Sequence, residues 1–528
     1  MRRAATGGLR PAALAFALGL AHAAAFAPLA HWAYALAVLV ALFSLLRARA
    51  TRGATPVAQA GLAFAFGMGW FGAGLAWLYV SMHVYGGMPA PMAAAAVVLF
   101  AAYLSLYPAA AVALAARACC GRGPIVHALG LAGAFTVAEL ARGWVFTGFP
   151  WLAVGYAQLD GPLDRLAPVA GVFGVGAAAT GVAALAAAAL VRGAGAPGDG
   201  AARARAAATA LAAALVVAPL AVPRDAWTRP AGAPLAVRLV QGNVAQDMKF
   251  RPERALEAMR DYAERFESGG AALTVLPETA WTLPWDRTPA PIAERILAHV
   301  ARGHAIAIGL PAILEPPGGG HPMLANRVLL LQPDASGAVR APAPRYDKRH
   351  LVPFGEFVPW GFRWFVRMMH IPLGDFARGA AGQPPFEVGD QRVAFNVCYE
   401  DLFGEELREA LLGEHGATVL ANVSNIAWFG RSHALPQHLA IARMRTLETG
   451  RPMLRATNTG VTAAIDAHGR VIARLDDHVA GELDVRVQGT TGLTPFVRAG
   501  NAPAWAGALL LLAATAFASR AGRTHRTR

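Results

Sequence analysis

The first 222 residues hold only four acidic side chains, Glu139, Asp160, Asp164 and Asp199. Around them run seven apolar stretches, near 11–27, 31–46, 57–80, 89–116, 124–141, 163–191 and 206–222, and an eighth follows at 503–519. An apolar helix of about 20 residues is what crosses about 30 Å of hydrocarbon. The pattern therefore restricts this half of the chain to a polytopic α-helical membrane domain. The first two runs are short enough for a tilted hairpin. Arg2, Arg3 and a lone first run would read as a secretory signal peptide, but six more runs before residue 223 argue against that.

Arginine placement orients the spans. With the N-terminus in the cytoplasm, fifteen arginines fall in cytoplasmic segments, among them Arg47, Arg49, Arg52, Arg203, Arg205 and Arg520; only Arg142 and Arg165 fall in short outer loops. Cytoplasmic loops carry the Lys/Arg excess, so the reading is a seven-span domain over 1–222, an extracytoplasmic domain over 223–502, and an eighth span with a basic cytoplasmic tail over 503–528. Residues 223–502 carry 29 acids against 30 Lys and Arg, so the net charge of +14 resides almost wholly in the membrane part and the tail. A nucleic-acid partner is excluded, because the soluble part carries no basic stripe. Cys119 and Cys120 lie on the cytoplasmic side, which leaves Cys398 as the one extracytoplasmic cysteine, with no disulfide partner there.

The extracytoplasmic part reads as α/β. Short β-branched runs at 235–241, 272–276, 305–310, 327–332, 391–397 and 417–423 alternate with helical periodicity at 251–268, 291–302 and 436–449. Four further strands are predicted at 454–457, 461–466, 471–475 and 479–484. A Pro-, Phe- and Trp-rich stretch, 353–386, is too long for a plain connection and reads as a functional loop. Reactive residues stand near three strand ends: Glu278 in TVLPET, Lys348 and Glu356 in RYDKRHLVPFGEF, and Cys398 with Glu400 in AFNVCYED. A thiol, a carboxylate and an amine make a nucleophilic set. In this reading Glu278 takes the thiol proton, and Lys348 favours the thiolate and binds the oxyanion of a tetrahedral intermediate. A helix after Asp401 would add its N-terminal dipole at Cys398. Zinc-type His/Cys spacing is absent, and no cofactor is expected.

These three segments resemble the Glu-Lys-Cys triad of the nitrilase superfamily. With the spans, they resemble the apolipoprotein N-acyltransferase family over nearly the whole chain. The resemblance is carried by FGMGWFGAGLAWLYVSMHVYGG (66–87) and AELARGWVFTGFPWLAVGYAQ (138–158) in the membrane part. In the soluble part it is carried by LVQGNVAQDMKF, LPETAW, YDKRHLVPFGEFVP, NVCYED, NVSNIAWFG and ARMRTLETGRPMLRATNTGVTA. It implies a nitrilase-like α-β-β-α sandwich, with Cys398 as nucleophile, Glu278 as general base, Lys348 as oxyanion-stabilising residue, Glu356 as a second glutamate near the thiol, and Tyr399 and Glu400 shaping the pocket. It further implies a bacterial inner-membrane enzyme with its catalytic domain in the periplasm. Such an enzyme moves an acyl chain from a phospholipid, phosphatidylethanolamine, through a thioester on Cys398 to the α-amine of an apolipoprotein's diacylglyceryl-cysteine. Two positions depart from the family pattern: Phe250 where members often have Trp, and Ile426 where many have Asp. Two rival readings stand against this one. A membrane-tethered amidase acting on a small amide would use the same triad. A transporter would carry ionisable residues within its spans or paired repeats, whereas Glu139 and Arg142 sit at a span end.

Overall fold

The computed structural model describes residues 9–119, 123–192, 199–249, 251–314, 321–362 and 376–524. Cys120, Phe250, Arg2, Arg3, Arg122, Arg526, Arg528 and the loop residues Trp364, Phe365, Met368 and Met369 lie outside them. The chain divides into two compact units. One holds 1–79, 89–226 and 499–528; the other holds Val80–Met88 and Trp227–Arg498.

Each apolar run forms a helix in the first unit: α1 (Leu9–Ala23), α2 (Trp32–Thr51), α3 (Pro56–Gly74), α4 (Ala90–Ala118), α5 (Pro124–Arg142), α6 (Ala167–Leu190), α7 (Asp199–Val217) and, after the second unit, a C-terminal helix Ala502–Thr524. Five of these segments are long and apolar enough to cross a membrane, and the chain is a membrane protein. Local chemistry marks the helix starts. Thr55 caps α3 by accepting from Ala58 N at 3.2 Å, and Pro56 takes the first turn, where a missing N–H costs nothing. Helices α1 and α3 pack backbone to backbone: a Cβ on Gly19 would fall 2.8 Å from Trp70 N, and one on Gly69 the same distance from Leu20 N. Close approach through small residues is how helices associate where there is no water to expel.

The second unit is a four-layer sandwich. Strands β1 (Leu235–Gln241), β2 (Leu273–Val275), β3 (Ala305–Leu314), β4 (Met323–Leu331) and β5 (Arg345–Asp347) form one sheet. Strands β6 (Phe386–Val388), β7 (Gln391–Val397), β8 (Val419–Ser424), β9 (Met453–Thr457), β10 (Ala463–Ile465) and β11 (Val471–Arg474) form another; β12 (Gly481–Val487) returns to the first. The sheet orders are β12-β1-β2-β3-β4-β5 and β11-β10-β9-β8-β7-β6, with β1, β2 and β3 parallel in one and β7, β8 and β9 parallel in the other. Val237, Leu239, Val275 and Ala307 of the first sheet meet Phe395, Val397, Val419 and Ala421 of the second in one apolar core. Helices α8 (Pro252–Glu267) and α9 (Ala290–Val300) cover the outer face of the first sheet through Met259, Tyr262, Phe266 and Ile296. Helix α10 (Ala434–Thr449) covers the second through Leu439 and Ala442. This is the α-β-β-α order expected from the sequence.

Candidate active site

Three connections leave neighbouring strand ends and converge. After β2 the chain turns through Leu276 and Pro277 to Glu278. A Cβ on Gly309 of β3 would lie 2.8 Å from Glu278 Cα, so only glycine lets these backbones approach. After β5, Lys348 N donates to Asn326 O at 2.8 Å and pins the lysine beside β4. After β7, Cys398 opens a turn with φ of 52°, the left-handed region that side chains other than glycine's seldom adopt.

Lys348 is 1% exposed, and its Nζ lies 2.8 Å from Glu356 Oε1 and 3.5 Å from Glu278 Oε1. Glu278 Oε1 accepts from Asn326 Nδ2 at 2.6 Å, and Oε2 accepts from Asn425 N at 2.7 Å. Glu356 Oε2 accepts from Val352 N at 2.9 Å. Burial opposes the Lys348 charge, but Glu356 and then Glu278 outweigh it and hold the amine protonated, above its usual range. Burial pushes the Cys398 thiol well above its ordinary range. Glu278 adds to this, Lys348 pulls the other way, and Glu356 and Asp401 push it up further. Burial and the carboxylates act in one direction and Lys348 in the other, and the neutral thiol is favoured.

Lys348 pulls towards the thiolate, as expected from the sequence, and burial and the carboxylates oppose it. The expected helix dipole at Cys398 is revised. The turn Cys398–Leu402 is a five-residue 3-10 segment, and the helix after it, Gly404–Leu407, has four residues, too few to sum a useful dipole.

Glu400 points away from chemistry and towards architecture. Its carboxylate accepts from Val397 N (2.6 Å), Arg349 N (2.7 Å), His350 N (3.0 Å) and Tyr346 Oη (2.9 Å), tying the Lys348 loop to the Cys398 turn. Burial nevertheless pushes it up to about 7, against those bonds and the Lys348 charge. The Tyr399 ring packs beside the stacked His350 and Phe403 rings, with centroids 5.7 and 5.2 Å away. Ile426 is 1% exposed.

Sequence reasoning missed several members of the site. Asn326 and Asn425 orient Glu278, and Lys249 Nζ donates to the Glu278 carbonyl at 3.2 Å. Burial lowers Lys249 to about 8, with Glu278 opposing. The signal available for them was a polar residue inside an otherwise apolar or strand-like segment, as in MLANRVLLL and VLANVSN. In the 353–386 stretch, Phe354 and Phe362 meet edge to face at 5.2 Å and Trp360 is 98% exposed.

A two-sheet sandwich with a Glu–Lys–Cys cluster at its strand ends, in a chain whose other half is apolar helices, defines a membrane-bound protein of the nitrilase type. Residues 236–495 match the carbon-nitrogen hydrolase family, and residues 18–185 match the family described as the apolipoprotein N-acyltransferase N-terminal domain. The chain is 48% identical to the apolipoprotein N-acyltransferase of Ralstonia nicotianae over 97% of its own length and 94% of that protein. It is 45% identical to that of Bordetella bronchiseptica, over 97% and 98%, and 39% identical to that of Nitrosomonas europaea, over 96% and 97%. The chain belongs to the apolipoprotein N-acyltransferase family.

Proposed function

We propose that this enzyme N-acylates the N-terminal diacylglyceryl-cysteine of apolipoproteins, with a phospholipid as acyl donor and Cys398 as the residue that carries the acyl group. The observation that carries the reading is the buried Glu278–Lys348–Glu356 cluster acting on one thiol, in a chain that belongs to this family. As Cys398 Sγ attacks the donor's ester carbonyl, Glu278 takes the thiol proton. The S–C bond forms and the carbonyl electrons move to oxygen, where Lys348 Nζ holds the oxyanion. Collapse breaks the ester C–O bond. The lysophospholipid leaves with the proton returned from Glu278, and a thioester remains. The α-amine then attacks the thioester, its proton passes through Glu278 to the departing sulfur, and the amide is formed. Because the thiol rests protonated, Glu278 acts during attack rather than before it.

The donor in this reading is phosphatidylethanolamine. The enzyme sits in the bacterial inner membrane with residues 223–502 in the periplasm, as the arginine asymmetry implies. In this reading Trp360, which is 98% exposed, and the apolar residues of its loop meet the bilayer surface or line an acyl cleft. Mass spectrometry of purified protein incubated with phosphatidylethanolamine tests the chemistry: Cys398 should gain one acyl mass and release it on addition of a diacylglyceryl-cysteine peptide. An unmodified Cys398, with turnover of small amides instead, would favour the amidase. A reporter fused near Gly320 that is active only in the cytoplasm would refute the orientation.

A further inference from the structure

A second set of buried polar groups touches Cys398, through its backbone rather than through its thiol. The Cys398 carbonyl accepts from Asn422 Nδ2 at 3.1 Å and from His438 Nε2 at 3.3 Å. His438, on α10, also places Nε2 2.9 Å from Asp401 Oδ1. Asp401 Oδ2 accepts from Arg455 Nη1 at 2.9 Å, and Arg455, on β9, reaches His438 Nδ1 with Nη2 at 3.0 Å. The ring of contacts is closed, and all three side chains are at most 1% exposed.

Hydrogen-bond logic fixes the histidine. Arginine has donors only, so His438 Nδ1 accepts and the ring N–H lies at Nε2, aimed at Asp401 and the Cys398 carbonyl. An apolar trio of similar volume would fill this space without the desolvation that an ion pair pays. What an apolar trio cannot do is hold a carbonyl in place, and here the carbonyl belongs to a residue in a costly left-handed conformation. The two charges also lie within electrostatic reach of the thiol. Asp401 disfavours its ionisation, and the sulfur in turn acts on Arg455.

We propose that Asp401, His438 and Arg455 are positioning residues for acyl transfer: His438 fixes the Cys398 carbonyl and with it the left-handed turn that aims the thiol, while the Asp401–Arg455 pair balances the field in which the thiol ionises. The proposal rests on Cys398 being the nucleophile. The charged groups acting on the thiol are Glu278, Lys348 and Glu356 from the catalytic cluster and Asp401 and Arg455 from this one. Removing one member of the latter pair leaves the other uncompensated, and the two removals act with opposite sign.

The test is the pH profile of Cys398 alkylation by iodoacetamide in the full-length protein in detergent, read by mass spectrometry of the Cys398 peptide. Asp401→Asn leaves Arg455 positive beside the thiol, and the profile should move to lower pH by about one unit. Arg455→Gln leaves Asp401 negative, and the profile should move to higher pH by a similar amount. A merely structural trio gives no such opposition; profiles that move together, or stay parental in variants that melt near the parent, overturn the proposal. If Arg455→Gln does not fold, the near-isosteric Asp401→Asn decides alone by the direction of its shift. His438→Leu should slow acylation by phosphatidylethanolamine about tenfold, the worth of one hydrogen bond in a barrier. His438→Gln keeps an N–H near the Nε2 position and should recover most of that rate; equal slowing by both variants overturns the role given to Nε2. If the parent protein takes no acyl group from phospholipid, the functional reading fails, while the alkylation profiles still judge the brace.

Discussion

Buried charge serves different ends in the two halves of the chain. In the membrane unit, Glu139 and Arg142 close α5 as a one-to-one pair, with Arg142 Nε 3.0 Å from Glu139 Oε1 and Nη2 3.1 Å from Oε2. Their remaining capacity goes to backbone: Arg142 Nη1 donates to Phe149 O and Trp151 O, and Val154 N donates to Glu139 Oε2. That gives backbone groups of the irregular segment after α5 buried side-chain partners. In the sandwich, Glu278, Glu356 and Lys348 all act on one thiol, the carboxylates against its ionisation and the lysine towards it. A neutral, saturated pair supports a fold, whereas a cluster aimed at a nucleophile supports chemistry. The contrast can be broken by substitution.

The largest effect is expected at Cys398. Cys398→Ser should abolish acyl transfer while leaving melting and membrane insertion parental, because a serine hydroxyl ionises far less readily than a thiol and needs a stronger base than Glu278. Acyl transfer near the parental rate by the well-folded variant sinks the nucleophile assignment. Next come Glu278→Gln and Lys348→Met. Each should slow formation of the acyl-enzyme by about a hundred- to a thousandfold, the usual worth of such an interaction, with near-parental melting. Either variant that forms the thioester at the parental rate and stalls only when the amine acceptor is added takes that residue out of the first half-reaction.

Arg142→Met should do the reverse. It strands Glu139 in a buried place, and removal of one partner from such a pair costs about 3–5 kcal/mol. The melting temperature and the yield of folded protein should drop, while acylation per folded molecule stays parental. A variant that melts like the parent but transfers no acyl group would make this pair part of the chemistry and erase the contrast.

The architecture was legible in the sequence where periodicity was strong. All eight apolar runs are helices, β1 and β7 match the residues read as strands, and α8 follows the spacing of Met259, Tyr262, Ala263 and Phe266. The strands β5 and β6 were not seen, because Arg345–Asp347 and Phe386–Val388 lack the apolar run that marks the equally short β2. The chemistry-bearing residues Glu278, Lys348 and Cys398 were legible as reactive types at apolar strand ends. Their supporting shell was not. Asn326, Asn425 and His438 are ordinary polar residues until the sheet order brings strands β4 and β8 and helix α10 to one end, and the charge balance that keeps the thiol neutral depends on distances that no spacing encodes.

The smallest effect concerns Glu400, which separates architecture from chemistry within the site itself. Its carboxyl sits at about 7 in the folded protein against 4.5 for the free group. The folded state therefore holds this proton more tightly than the unfolded chain does. The stability contributed by protonation is complete below about pH 4.5 and is lost as pH rises through about 7, to a ceiling of about 3 kcal/mol. Other carboxylates titrate in the same range, so the parent must be compared with Glu400→Gln, which is neutral at every pH. The variant loses acceptor capacity towards Val397 N, Arg349 N, His350 N and Tyr346 and should be the less stable protein at pH 5. Between pH 5 and 8 the parent takes on a buried charge and the variant does not, so the gap in denaturant midpoint between them should narrow. A gap that stays constant over this range would mean that the four hydrogen bonds outweigh burial and that Glu400 is ionised throughout. Its place in the site would then be that of a third carboxylate opposing the thiolate, rather than a neutral tie between two loops.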